Sequence, residues 1–119
     1  IPLWLNEGLA VLMEDVLAGQ HLFIDHEIMS QHRQYWTEES IQGFWSGDSF
    51  FASDEGQMLS YHLAHVLTSK LAKGAKSFSE FANHADAADA GAQAAEQYLG
   101  VNLQQLASSF LGPGYWAPA

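Results

Sequence analysis

Hydrophobic residues recur every three to four positions along most of the chain, which is the spacing of a helix with one buried face. Alternation of apolar and polar residues over the length of a strand does not occur. The pattern therefore predicts an all-α fold, an irregular bundle of about five to seven helices joined by short loops. The predicted helices cover residues 2–18, 26–35, a short segment from Thr37 to Gly47, 54–73, a segment that starts at Ser77, 88–99, and a last segment that starts at Asn102.

Polar residues at the starts of these helices match known capping patterns. Ser53 or Asp54 precedes the longest predicted helix, and Asn102 precedes the last one. Ser77 and Glu80 have the spacing of a capping box, in which each side chain accepts from the backbone of the other residue. Glycines supply the predicted ends, because glycine adopts the left-handed conformation that closes many helices. These glycines are Gly19, Gly47, Gly74 and Gly100.

The length of 119 residues fits one compact domain, predicted over residues 1–112 and followed by a C-terminal tail over 113–119. Fourteen acidic residues against four Lys and Arg give a net charge of −10, which argues against a nucleic-acid partner. No apolar run reaches the roughly 18 residues of a membrane-spanning helix, and cysteine is absent, so we expect neither a membrane segment nor disulfides. Because the chain starts at Ile1 and enters a helix pattern almost at once, we expect it to be a fragment of a longer protein.

An acidic residue, Glu7, borders the apolar stripe of the first predicted helix, near Leu5 and Leu9. A carboxylate that becomes buried there needs a compensating cation or several hydrogen-bond donors. The helix contains no Lys or Arg, so a metal ion is one candidate partner. Glu14 follows seven residues later on the same side and could orient another ligand. The alternative is that Glu7, beside Asn6, stabilises the positive N-terminal end of the helix while it stays partly solvated.

The stretch LWLNEGLAVLMED, residues 3–15, resembles the third-ligand segment of gluzincin zinc metallopeptidases, the aminopeptidase N and peptidase MA-like group. Their pattern is Trp-Leu-x-Glu-Gly-Phe/Leu-Ala, with a second acidic residue seven positions after the first. The resemblance implies that Glu7 is the third ligand of a two-histidine, one-glutamate zinc site, supported by Asn6 and Glu14. It also implies hydrolysis of a peptide or protein substrate, with zinc as a Lewis acid that activates a water molecule. The matching positions are Trp4, Leu5, Glu7, Gly8, Leu9, Ala10 and Glu14.

A second stretch, LSYHLAHVLTSKL, resembles a helix of the same peptidases that carries a tyrosine some tens of residues past the third ligand. The resemblance implies that Tyr61 hydrogen-bonds the oxyanion formed during hydrolysis. Considered without the resemblance, Tyr61 is equally well a core residue with one polar end. The helices that follow are similar to the helical C-terminal lobe of these zincin-like catalytic domains. The resemblance therefore covers most of the chain.

The His-Glu-x-x-His motif, which supplies the other two zinc ligands and the general base in these peptidases, does not occur. The stretch HEIMSQH begins correctly with His26 and Glu27, but Ser30 stands where the second histidine should be, and the stretch follows Glu7 instead of preceding it. We therefore expect the chain to be the second half of a metallopeptidase domain whose histidine helix lies upstream. Alone, it should bind no zinc and hydrolyse no peptide.

Histidine pairs and a group of aromatic residues leave further interpretations open. His62 and His65 share a helix face and could bind a metal, and His21 and His26 could approach each other, but such pairs are more often solvated or hydrogen-bonded. The aromatic residues of the middle segment could line a substrate groove, although at this density they more often form a core or an interface. These aromatic residues are Trp36, Phe44, Trp45, Phe50 and Phe51.

The second functional hypothesis is a non-catalytic, peptidase-like helical module whose acidic surface binds a partner. It depends on the missing ligands and on the negative net charge. A further expectation concerns the first helix, which packs against the histidine helix in the family. Without that helix, an apolar face of helix one should be exposed, and we expect the isolated chain to form a homodimer through this face or to aggregate.

Overall fold

A computed structural model describes residues 1–18, 26–72 and 75–119, with side chains for 1–13, 26–72 and 77–119. This part of the chain contains seven α-helices and no β-strand. The Cα radius of gyration is 13.3 Å, close to the ~13.5 Å of a compact domain of this length. The all-α prediction is confirmed. None of the described helices has the length and apolarity that a bilayer crossing requires. The helices are α1 (Leu3–Ala18), α2 (His26–Tyr35), α3 (Ser40–Ser46), α4 (Glu55–Leu71), α5 (Ala75–His84), α6 (Ala92–Ala94) and α7 (Leu103–Leu111), with 3-10 turns at Asp48–Phe51 and Ala87–Asp89 and a π-helical turn at Ala95–Leu99.

Side-chain caps are present at two helix starts where the sequence predicts them. Asp54 accepts a hydrogen bond from the backbone amide two residues on, at 2.8 Å, at the start of α4. Asn102 accepts from the amide three residues on, at 3.1 Å, at the start of α7. Both bonds satisfy amides that have no partner inside the helix. Two predicted glycine ends are also left-handed, Gly47 with φ of 98° and Gly100 with φ of 64°.

The predicted capping box at the start of α5 is wrong. The helix begins at Ala75, two residues before the predicted cap, so Ser77 and Glu80 lie inside it. Residues that favour helix precede Ser77, and they extend the helix past the capping signal. Phe81 inside the helix and Ala85 directly after it are buried in the core.

The predicted continuous helix over residues 88–99 is also wrong. The chain makes a 3-10 turn and then two left-handed residues, Ala90 with φ of 57° and Gly91 with φ of 83°, before α6 begins. Asp89 accepts hydrogen bonds from two following backbone amides at 2.9 and 3.0 Å. The Ala90 carbonyl accepts the buried indole N–H of Trp4 at 3.0 Å. These bonds satisfy the backbone outside a helix, so they override the helix propensity of the alanines.

The α1 helix buries a narrower face than its apolar pattern predicts. Trp4 and Leu5 are fully buried and Gly8 is buried, whereas Leu9 is only half-buried. Met13, a further apolar residue of α1, is 57% exposed. The N-terminal half of α1 is therefore the part that anchors it in the core.

Aromatic side chains form the centre of the core. Phe44 lies in the middle, with the ring centroids of four aromatic neighbours between 5.1 and 6.0 Å away. Those neighbours are Trp4, Trp36, Trp45 and Phe50. The interpretation of the middle aromatic group as core is confirmed for its four buried members, but the fifth, Phe51, is 78% exposed.

Residues 113–119, expected to be a tail, pack back onto the helices. Trp116 is 8% exposed, and its carbonyl accepts the indole N–H of Trp45 at 2.6 Å. The Gln42 side chain donates to one backbone carbonyl of this segment and accepts from one of its amides, each at 2.8 Å. The segment is thus part of the folded structure.

Candidate functional site

The α1 and α4 helices cross in close contact at Gly8. A Cβ atom on Gly8 would lie 2.1 Å from the Thr68 hydroxyl oxygen and 2.7 Å from the Ala64 carbonyl oxygen, so the approach requires glycine. Glu7 directly precedes Gly8 on α1. Tyr61 lies three residues, about 4.5 Å along the helix axis, before Ala64 on α4. The crossing therefore sets the spacing of the two helix segments that carry Glu7 and Tyr61.

Glu7 is a half-buried residue, but its carboxylate oxygens are not among the buried polar atoms, and they have no hydrogen-bond or ionic partner among the described residues. The helix starts at Leu3, so Glu7 lies beyond its first turn, and no acidic residue lies within that turn. Stabilisation of the helix N-terminus by Glu7 does not fit this position, because the helix dipole acts mainly on charges within the first turn. Glu7 therefore keeps free oxygen lone pairs at the edge of the core, which a metal ligand or a hydrogen-bond acceptor needs.

Tyr61 is half-buried on α4, and its ring packs edge-on against Phe50, with centroids 5.2 Å apart and ring planes at 90°. Its hydroxyl has no hydrogen-bond partner in the part of the chain that is described. A donor to an oxyanion needs such a free hydroxyl, but a core tyrosine that directs its hydroxyl to water also has one. The position of Tyr61 is compatible with both interpretations.

The two residues expected to support Glu7 are Asn6 and Glu14. Asn6 is exposed, and its backbone amide donates to the Pro2 carbonyl at 3.0 Å. Glu14 belongs to α1, but its side chain lies outside those described. Support of Glu7 by either residue therefore stays a prediction.

The zinc site that the resemblance implies needs two histidines besides Glu7. Among the described residues, no three His, Asp or Glu side chains lie close enough together to hold a metal ion. His26 and Glu27 are exposed at the start of α2, and His21 lies outside the described residues. The described residues thus fit one zinc ligand and do not complete a site. The other ligands would have to come from outside them.

A buried histidine cluster between α2 and α4 is a feature that the sequence reasoning missed. His32 is fully buried, its Nδ1 accepts the indole N–H of Trp36 at 3.0 Å, and its ring centroid lies 6.2 Å from that of His62. Burial, followed by the nearby His62, lowers the pKa of His32 to about 4. The spacing of four residues between His32 and Trp36 places both on one helix face and was the available signal.

The pair His62 and His65, for which the sequence leaves both a metal site and solvated side chains open, belongs to this cluster. His62 is half-buried and His65 is 3% exposed, so neither is a fully solvated surface residue. Burial, followed by the nearby His65, lowers the pKa of His62. Two imidazoles of the cluster, those of His32 and His62, therefore resist protonation.

A cleft of about 380 Å³ lies between α3, the turn at Ala87–Ala90 and the C-terminal segment. The ionisable residues that line it are Asp48 and Asp89. Glu7 and Tyr61 do not line it. The cleft is therefore separate from the candidate site at the α1–α4 crossing.

Comparison with models of protein families, with curated protein sequences and with solved structures gave no match for this chain.

Proposed function

We propose that this chain is the C-terminal part of a zinc-dependent metallopeptidase domain, to which it contributes the third zinc ligand, Glu7, and the helical lobe. Hydrolysis of a peptide or protein substrate would be an activity of the longer protein only. The observation that carries the proposal is the position of Glu7, a half-buried residue beyond the first helical turn whose carboxylate has no partner among the described residues. Its free carboxylate oxygens leave it able to bind a cation.

The neighbours of Glu7 in the peptidase-like stretch have separate structural roles that support the proposal. Trp4 and Leu5 are fully buried and anchor α1 in the core. Gly8 allows the close contact with α4, the helix that carries Tyr61. Glu7 lies between these anchors, at the edge of the core. A metal bound by Glu7 would thus be held by a helix whose position is rigidly determined.

The chemistry of the proposed site divides between residues of this chain and residues outside it. Glu7 would bind zinc through its carboxylate, and the Tyr61 hydroxyl would donate a hydrogen bond to the developing oxyanion of the substrate. Zinc, when bound, would supply a Lewis acid that activates water and polarises the scissile carbonyl. Two histidine ligands and a general base would come from the longer protein.

The zinc content of the longer protein, purified without chelators, tests the proposal. We expect stoichiometric zinc in the wild type and its loss from the Glu7→Gln variant, which keeps the shape of the side chain but removes its charge. The matched control is Glu80→Gln, because Glu80 is an exposed helical carboxylate on α5. A wild type without zinc, or a Glu7→Gln variant that retains it while folded, would refute the proposal.

The role of Tyr61 is tested separately by the Tyr61→Phe variant of the longer protein, which removes only the hydroxyl. We expect kcat to fall by roughly 10²–10³-fold while zinc content stays the same. Tyr98→Phe is the control, because Tyr98 is also half-buried but stacks on His84, with centroids 4.7 Å apart. An unchanged kcat in Tyr61→Phe would show that Tyr61 is a core residue without a role in catalysis.

A second candidate function is a non-catalytic, peptidase-like module that binds a partner through its acidic surface. The observation in its favour is that the described residues bring no three metal-ligand side chains together, on a chain with a net charge of −10. In that case the longer protein would be free of zinc, and its binding to a basic partner would weaken as salt screens the charges. A zinc-containing protein that cleaves peptides would exclude this alternative.

A further inference from the structure

The α2 helix is attached to the rest of the protein through Tyr35, which packs against the core beside Gly56 of α4, and through one fully buried ionisable side chain. Of the α2 residues, all of which are described, His32 is the buried one, with none of its surface exposed. The other residues of the helix are exposed or half-buried. Trp36, which follows the helix directly, is 3% exposed and lies beside His32. The environment of His32 therefore contributes to how firmly α2 is held.

The hydrogen bond between Trp36 and His32 determines the protonation state of the imidazole. The Trp36 indole N–H donates to Nδ1 of His32 at 3.0 Å in a buried position. Because an indole nitrogen can only donate, Nδ1 must carry a lone pair, and the neutral ring has its proton on Nε2. A second proton on Nδ1 would place two N–H donors against each other. The bond cannot survive this protonation.

The surroundings of His32 offer little compensation for a positive charge. Nε2 of His32 and Nδ1 of His62 are both buried without a hydrogen-bond partner in the described part of the chain. From α7, the apolar ring of Phe110 packs edge-to-face on His32, with centroids 5.2 Å apart. The ionisable group that acts on His32 from α4 is His62, which is itself affected by His65. In acid His62 would add positive charge and would not neutralise it.

Negative charges near this region act on a different residue. The carboxylates of Asp54 and Glu55, after the larger effect of burial, raise the pKa of Tyr35, not that of His32. The α7 helix contains no charged residue. The other ionisable residues of α2 before Tyr35 are exposed, and they are His26, Glu27 and Arg33.

We propose that His32 and Trp36 form a proton-sensitive latch, in which protonation of the His32 imidazole breaks its buried hydrogen bond with the Trp36 indole and releases α2 from α4 and α7. The closed form binds the proton poorly, in agreement with a pKa of His32 lowered by burial, and then by His62, to about 4. The released form, solvated, takes up the proton with the ordinary histidine pKa of 6.5. Attachment of α2 is therefore strongest above pH 6.5 and weakens as the pH falls toward 4.

Amide hydrogen exchange of the 119-residue chain, measured by NMR between pH 7.5 and 4, tests the latch. We expect the protection factors of α2 amides to fall at least tenfold over this range, while those of residues 63–67 in the middle of α4 are maintained. His32→Asn keeps an acceptor near the position of Nδ1 but cannot take up a proton. Its α2 protection should not depend on pH. An equal pH dependence in both proteins, or loss of α4 protection at the same pH, would overturn the proposal.

The hydrogen bond itself is tested by the NMR titration of His32, which is informative even if His32→Asn does not fold. Trp36→Phe removes the indole donor, so the proton affinity of His32 should rise about three- to tenfold, the typical net effect of one hydrogen bond. Trp45→Phe is the matched control, because the Trp45 indole donates to the Trp116 carbonyl instead. An unchanged pKa of His32 in Trp36→Phe, or the same rise in both variants, would show that the Trp36 bond does not hold the latch.

Discussion

Replacement of Gly8 by alanine tests whether the close contact between α1 and α4 is a requirement of the fold. The added Cβ would lie 2.1 Å from the Thr68 hydroxyl oxygen and 2.7 Å from the Ala64 carbonyl oxygen. The Thr68 side chain can rotate to some extent. The Ala64 oxygen belongs to the backbone of α4 and can move only if the helices separate by roughly half an ångström or more, since ordinary contact distances exceed 3 Å.

The size of the effect follows from two opposing contributions. Overpacking of a core costs about 1–3 kcal/mol, and the upper end applies because one clash is with backbone. Alanine in a helix interior returns about 1 kcal/mol relative to glycine. We therefore expect Gly8→Ala to lower the free energy of unfolding by about 2 kcal/mol. At roughly 4 °C per kcal/mol for a chain of this length, Tm should fall by about 8 °C.

Thermal and urea unfolding followed by circular dichroism measure this loss, and Gly43→Ala is the matched control. Gly43 also lies inside a helix, but a Cβ there would have its nearest neighbours at 3.7 Å, so this variant should gain up to about 1 kcal/mol. Adding Thr68→Ala to Gly8→Ala should restore only part of the loss, because the contact with Ala64 persists. If Gly8→Ala were as stable as Gly43→Ala, the conclusion that α1 and α4 cross in close contact at Gly8 would be refuted.

Three further predictions concern the C-terminal segment, the surface of α1 and pH. Trp116→Ala should lower the free energy of unfolding by about 3 kcal/mol, because Trp116 is 8% exposed and joins the C-terminal segment to the core. A loss below about 0.5 kcal/mol in urea unfolding would mean that this segment does not pack on the helices. Met13 is 57% exposed on α1, so Met13→Lys should shift the isolated chain toward monomer in analytical ultracentrifugation. If the proportion of monomer and dimer did not change, any self-association would use another surface. The free energy of unfolding should fall by about 2–3 kcal/mol between pH 6.5 and pH 4, because His32 has a pKa of about 4 in the folded chain and the ordinary histidine pKa of 6.5 in the unfolded chain. Urea unfolding at several pH values should show a smaller fall in the His32→Asn variant.

Helix positions followed from the sequence where the determining interactions are local. The predicted helix over 26–35 is observed as α2 at His26–Tyr35, and the cap at Asp54 is observed with its hydrogen bond. Helical periodicity and capping involve residues only a few positions apart, so the local sequence is enough to predict them. Glu7 was singled out in the same way, from its place beside an apolar stripe.

The wrong structural predictions concern residues whose conformation depends on partners that are distant in the sequence. Ala90 leaves the predicted helix, and its carbonyl accepts the Trp4 indole, 86 positions away in the chain. The fixed position of Trp116 depends on Trp45, which is 71 positions away. Composition and periodicity contain no information on such pairs. The alanine-rich stretch and the C-terminal segment were therefore assigned from local propensity, which the tertiary contacts outweighed.

For this protein, the sequence by itself determined the all-α class, most helix starts and the stretch around Glu7 on which the functional proposal depends. Only the tertiary structure decided that Gly8 lies against α4, that Glu7 is half-buried without a described partner, and that His32 is enclosed beside Trp36 and His62. The reason is that local hydrogen bonding and periodicity select a helix, whereas burial and the partner of a polar group depend on which helices come together.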